Sequence, residues 1–157
     1  MTDWAVWLEA SALGVWMRTS TWAYPAVNLA HLLGLVLLIA PMLLLDLRLL
    51  GLRRRFALAD VSALLTPWVA TGLALLLASG ILLFAADAAP LLDNPLLPPK
   101  LLLISLGIVN ALAFRWRWAD SLAGWHPQPP LLARLQAGAS MLLWLAAATL
   151  GRLLAYV

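Results

Sequence analysis

Apolar residues run in four long blocks, at about 24–47, 66–86, 99–116 and 131–156, separated by segments that carry arginine, aspartate or proline. Each block is close to the roughly 20 apolar residues that an α-helix needs to cross a bilayer core about 30 Å thick. The pattern predicts an all-α protein: an integral membrane four-helix bundle over residues 23–157. Residues 1–22 are too short and too mixed to span. With Asp3 as a cap and Trp4, Trp7, Leu8 and Val15 near one side, they are expected to form an interfacial amphipathic helix and a connector. No basic n-region or small-residue cleavage site precedes the first block, so a cleavable signal peptide fits poorly.

Prolines set the expected helix starts. Thr66-Pro67 supplies an N-cap hydroxyl and a residue whose missing N–H costs nothing in a first turn. Pro98-Pro99 opens the third span and Pro129-Pro130 the fourth, whereas Pro41 falls inside the first and is expected to bend it.

Charge then orients the bundle. Arg48, Arg53, Arg54, Arg55, Arg115, Arg117 and Arg134 flank one set of span ends, against Arg18, Lys100 and Arg152 at the other. The positive-inside rule places the arginine-rich loops in the cytoplasm and both termini outside. Trp4, Trp7, Trp16 and Trp22 mark the outer interface, Trp68, Trp116, Trp118 and Trp125 the inner one, and Trp144 alone lies mid-span.

Composition agrees and narrows the chemistry. In 157 residues, 64% are apolar and only 11% charged, against about 45–50% and 25% in water-soluble domains. The net charge of +3 gives no basic solvated face, so nucleic acid is not an expected partner. Zero Cys removes disulfides, iron–sulfur clusters and thiol nucleophiles. There is no phosphate-binding glycine loop, no G-x-S-x-G and no H-E-x-x-H. Asp46 is expected to pair with Arg48 or Arg53 at the inner interface, and acidic residues form no catalytic pair.

Two basic side chains at membrane depth need explaining. His31 lies about seven residues into the first span, roughly 10 Å down at 1.5 Å per residue. Lys100 opens the third span in the same leaflet. Asn28 and Gly34 share the helical face of His31, where Gly34 leaves room for a flat group. Gly107 follows Lys100 at a spacing of seven, with Asn110 nearby. This pattern fits a b-type haem with His31 as axial ligand, Lys100 as second ligand or pocket residue, and Arg18 or Arg152 beside the propionates. Met17 or an open position are the other candidates opposite His31. His126 falls in the cytoplasmic loop, too far for a bis-histidine haem. The plainer expectations are an interhelical hydrogen bond for His31, a snorkelling Lys100, and packing roles for Gly34 and Gly107.

In order along the chain, Trp7-Leu-Glu-Ala-Ser11, Met17-Arg18, Tyr24-Pro25, His31-Leu-Leu-Gly34, Asp46-Leu-Arg-Leu-Leu-Gly51, Gly80-Ile-Leu-Leu-Phe84, Lys100-Leu-Leu-Leu and Asn110-Ala-Leu-Ala-Phe114 resemble a bacterial family of small four-helix membrane proteins of unknown function. That pattern has an acid where Asn28 stands. More remotely, the early histidine and later span-opening lysine resemble the copper-resistance D-type membrane proteins and the four-helix protoporphyrinogen oxidases. That resemblance implies haem held by a membrane histidine, with a lysine implicated.

The expected function is electron transfer through haem b in the outer leaflet of the bacterial inner membrane, between the quinone pool and a periplasmic redox partner. An oxidoreductase subunit is the enzymatic form of this reading. The alternatives are a cofactor-free scaffold or assembly subunit of a larger envelope complex, a homo-oligomer included, and a conduit for a metal or small solute lined by His31, Asn28 and Asn110.

Overall fold

The computed structural model describes residues 3–52, 55–125, 128–154 and 156. Arg53, Arg54 and His126, used above for charge and ligand counting, lie outside the described residues. The elements run α1 (Asp3–Ala10), α2 (Ala12–Thr19), α3 (Ala23–Leu49), α4 (Leu58–Ala86), α5 (Ala88–Asp93), α6 (Leu97–Trp118), a 3-10 turn (Ala119–Gly124) and α7 (Leu131–Leu153). Helices α3, α4, α6 and α7 are each long and apolar enough to cross a membrane, with mean window hydropathies of 2.2, 2.3, 1.7 and 1.4, that for α6 taken through the 3-10 turn. This is a multi-pass helical membrane protein. Leu29, Leu32, Leu33, Val36 and Leu44 of α3 project outward in its bilayer-facing surface, where lipid tails solvate them.

The four spans pack in the order α4–α3–α7–α6. The α3–α4 seam is the most extensive, followed by α6–α7 and α3–α7, and α4 and α6 form no comparable seam among the described residues. Small residues explain the tightest crossing. A Cβ on Gly72 would stand 2.5 Å from the Leu38 amide nitrogen, and one on Gly34 would stand 3.1 Å from the Gly72 carbonyl oxygen. The two backbones therefore touch, which a side chain at either glycine would prevent. Leu38, Met42 and Trp144 form the central core cluster beside this crossing.

Three boundaries differ from the sequence expectation. Helix α4 starts at Leu58, so Thr66 is no N-cap and Pro67 lies within the helix. The segment Leu58–Leu65 contains no helix breaker, and its Leu58 and Ser62 are buried, so tertiary packing carries the helix through the proline. The N-terminal arm is two short helices, because Ser11 accepts a bond from the Gly14 amide at 3.2 Å and starts a new helix. The short helix α5 was not expected; Glu9 Oε1 accepts from the Ala89 amide in its first turn at 2.7 Å.

The arm docks on the end of the bundle that carries both termini. Gly14 lies against the Ala85 carbonyl, Trp4 stacks on Phe84 at 6.1 Å between centroids, and Met17 is fully buried with Ala23 and Ala86. Trp7 and Trp22 remain largely exposed. At the opposite, arginine-rich end, α3 stops at Gly51, whose φ of 111° few other residues adopt. The Gly51 amide donates to the Arg48 carbonyl and the Leu52 amide to Leu47, closing the helix through a left-handed residue.

Candidate functional site

Polar side chains within the bundle collect at two levels. Near the terminal end, His31 of α3 meets α4: its Nδ1 lies 2.8 Å from Ser79 Oγ. The Ser79 hydroxyl is 2.6 Å from the Leu75 carbonyl one turn earlier, and its one proton is donated there. Ser79 therefore accepts from His31, which puts the imidazole proton on Nδ1 and leaves the Nε2 lone pair available. Gly80 lies beside the ring: a Cβ there would stand 3.5 Å from His31 Cε1, an ordinary contact. Ser79 is buried and His31 half-buried.

Lys100 of α6 reaches across α7 at Gly151, where a Cβ would stand 3.4 Å from its Cε and 3.6 Å from its Nζ. The structure thus brings the two basic residues to one end of the bundle, and each lies against a glycine of the neighbouring helix. Sequence reading named neither Gly80 nor Gly151 as a contact of these side chains, because each lies on a different helix from its basic partner.

The other expected site residues lie elsewhere. Gly34 faces α4 and Gly107 faces the Trp144 ring, 3.0 Å from the position of its Cβ. Both glycines serve helix packing and leave no open clearance. Asn28 is exposed on α3, and its side chain makes no hydrogen bond among the described residues. Arg18 donates to the Ala86 carbonyl at 2.7 Å and to the Glu9 carbonyl at 2.6 Å, so it closes the C-terminal end of α4. Arg152 contacts Tyr156 through its guanidinium. Met17 is sealed in the core. Asn110 Nδ2 donates to the Gln136 carbonyl at 3.1 Å, toward the arginine-rich end and away from His31.

That second level is built around Asp46, which is 4% exposed. The expected ion pair is not formed with Arg48, which instead donates to the Phe56 carbonyl at 2.9 Å through Nε. Asp46 and Ser140 line the same cavity, and among the described residues Asp46 Oδ2 has no hydrogen-bond partner. The cavity, of about 80 Å³, is also lined by Ser62, Thr66, Asn110 and Gln136. The sequence signal was present but misread. Asp46 stands four residues after Met42 and eight after Leu38, on the buried face of α3. Among the described residues no group of three or more His, Cys, Asp or Glu side chains converges on one point.

A four-span helical bundle with a membrane histidine held in one tautomer, and a separate polar cavity at the other end, defines the class: a small polytopic membrane protein with ligand-capable groups inside the bundle. Residues 4–157 match the model of a family described as a family of unknown function, DUF6644, and the chain belongs to that family. No curated protein and no solved structure matches it.

Proposed function

We propose that the protein is a membrane-embedded b-type haem protein of electron transfer, with His31 as axial ligand. The observation that carries this reading is the hydrogen bond from His31 Nδ1 to Ser79. A metal-ligating imidazole commonly donates its second N–H to an acceptor that fixes tautomer and ring orientation, leaving the other nitrogen to bind. Gly80 lies beside the Cε1 edge of the imidazole. Lys100 is the pocket residue or second ligand in this reading.

When bound, haem supplies one-electron redox chemistry. The chain's own residues orient the imidazole through Ser79 and place the Lys100 amine beside Gly151 at the same end of the bundle. Arg18 has no part in propionate binding here, since both its bonds go to backbone carbonyls. The concentration of Arg48, Arg55, Arg115, Arg117 and Arg134 at one end supports a cytoplasmic placement of that end. Both termini and the His31 level are then periplasmic in a bacterial inner membrane. A periplasmic redox protein and the quinone pool are the partners this placement suits.

The test is spectroscopic. Purified protein from haem-sufficient cells should show a Soret band that His31→Ala removes while the helical circular dichroism is retained. An identical band in wild type and variant, or none after reconstitution with haemin, rejects the reading. The second reading, a cofactor-free scaffold subunit, is favoured by Gly34, Gly107 and Asn110, all of which serve helix–helix contacts. It expects no chromophore and a cross-linkable membrane partner.

A further inference from the structure

The Asp46 cavity contains none of His31, Ser79 or Lys100, and its chemistry asks for a ligand. A buried carboxylate oxygen without a donor is costly. Asp46 Oδ2 is such an atom, in a residue 96% removed from solvent by its 4% exposure. Around it stand groups with unused capacity. Asn110 uses Nδ2 on the Gln136 carbonyl, which leaves its Oδ1 as an acceptor. Gln136 Oε1 accepts from Trp118 Nε1 at 2.7 Å, which leaves its amide N–H groups as donors. Arg115 Nη1 donates to Thr66 Oγ1 at 3.1 Å at the mouth.

The cavity shares Ser62, Thr66, Arg115, Ala119 and Leu122 with a groove of about 410 Å³ between α4 and the 3-10 turn that follows α6. On this side α4 and α6 form no extensive seam among the described residues, and α4 meets the 3-10 turn instead. Ala59, Ala63 and Ala70 line the α4 wall of the groove, with Asp120 and Ala123 on the wall of the turn.

An occupant must donate a hydrogen bond to Asp46 Oδ2, also accept one from the Gln136 amide, and tolerate apolar walls at Met42, Val69 and Phe114. A metal cation takes the oxygen acceptors but leaves the Gln136 N–H donors unanswered and meets Arg115 at the entrance. Water satisfies the hydrogen bonds but makes no dispersion contact of its own with the apolar walls. An aromatic ring carrying hydroxyls at opposite ends satisfies all three conditions, since each O–H both donates and accepts. An apolar cavity of about 150 Å³ takes a benzene ring. The enclosed 80 Å³ therefore takes one hydroxyl-bearing edge, with the remaining ring and its tail in the groove.

We propose that this cavity is the headgroup site for a lipid-borne hydroquinone, with Asp46 Oδ2 accepting from one phenolic hydroxyl. Asp46, Asn110 and Gln136 grip the buried edge, while Arg115 and Thr66 guard the mouth. The site stands independently of His31, which belongs to the other end of the bundle.

The experiment uses the full chain in quinone-free lipid nanodiscs, titrated anaerobically with decylubiquinol and corrected for uptake by empty nanodiscs. Saturable binding is expected, and the dimethyl ether of the same quinol, which keeps ring and tail but has no O–H, should bind at least about tenfold more weakly. Asp46→Leu should weaken decylubiquinol by a similar factor. Ala63→Trp, on the exposed groove wall and remote from the carboxylate, should also weaken it, and this variant stands as the test if Asp46→Leu fails to fold. His31→Ala should bind decylubiquinol like the wild type even if it abolishes a Soret band, so loss of one reading leaves the other standing. The proposal is overturned by absence of saturable uptake, by equal affinity for quinol and ether, by wild-type affinity in a folded Asp46→Leu protein, or by Asp46-dependent heat on titration with NaCl alone.

Discussion

His31 and Ser79 are joined across the α3–α4 seam by a 2.8 Å bond in which the imidazole is the donor, because the serine proton is already given to Leu75. One bond therefore selects the tautomer, fixes the ring plane and frees Nε2. If His31 ligates haem, Ser79 acts through it as a positioning residue. Ser79→Ala should keep a Soret band but weaken haem affinity by about tenfold or more, a usual consequence of removing an outer partner of a ligating histidine. Ser79→Thr, which restores a hydroxyl, should recover most of it. Haem titration followed at the Soret maximum separates these cases, and equal affinity in wild type and Ser79→Ala would count against the arrangement.

The two glycines on α4 predict opposite responses to the same substitution. At Gly72 an added methyl meets the Leu37–Leu38 backbone as close as 2.5 Å, and rigid backbone cannot give way. Gly72→Ala should cost about 1–3 kcal/mol or force the helices apart. At Gly80 the nearest atom is 3.5 Å away, an ordinary contact, so Gly80→Ala should leave the fold nearly unchanged. Thermal unfolding of both variants in one detergent checks the contrast.

Removing the Arg18 guanidinium should loosen the N-terminal arm without dissolving the bundle. Its two bonds join α2 to the last carbonyl of α4 and to the end of α1. Arg18→Gln should lower local stability by about 1 kcal/mol. Hydrogen exchange should rise in residues 3–19 and stay unchanged in the middle of α3 and α4. A uniform rise along the chain would mean that the arm supports the whole fold.

Asp46 should be expensive for the ligand-free protein. A buried carboxylate with one unpartnered oxygen can often be replaced by an apolar residue with a neutral or stabilising result. Ligand-free Asp46→Leu should therefore unfold at the same temperature as wild type or higher. A large loss of stability would make Asp46 a structural element of the α3–α7 contact through Ser140.

Gly51 offers a local check at the other end of α3. Its φ of 111° strains any residue with a Cβ, so Gly51→Ala should destabilise by about 1 kcal/mol.

The spans were legible because a bilayer imposes one coarse requirement, about 20 apolar residues per crossing, which hydropathy alone reports. Fold class, span number and the placement of His31 and Lys100 toward one end of the bundle followed from it. Boundaries were less legible: Pro67 read as a helix start, yet the preceding Leu58–Leu65 turns continue the helix because tertiary contacts bury Leu58 and Ser62. Roles of individual polar residues were least legible. Gly34 and Gly107 read either as clearance or as packing, and they pack against α4 and Trp144, because which helix faces a glycine is decided by a neighbour far along the chain.

By itself, then, the sequence determined a four-span helical bundle with an arginine-rich end, since helix formation and lipid exposure depend on local composition. Tertiary structure alone decided that Ser79 holds His31, that Lys100 crosses at Gly151, that Arg18 caps α4, and that Asp46 faces a cavity lined from three other helices. Those are relations between side chains dozens of residues apart, set by which helix faces meet, and no one-dimensional pattern in a leucine-rich chain encodes which faces those are.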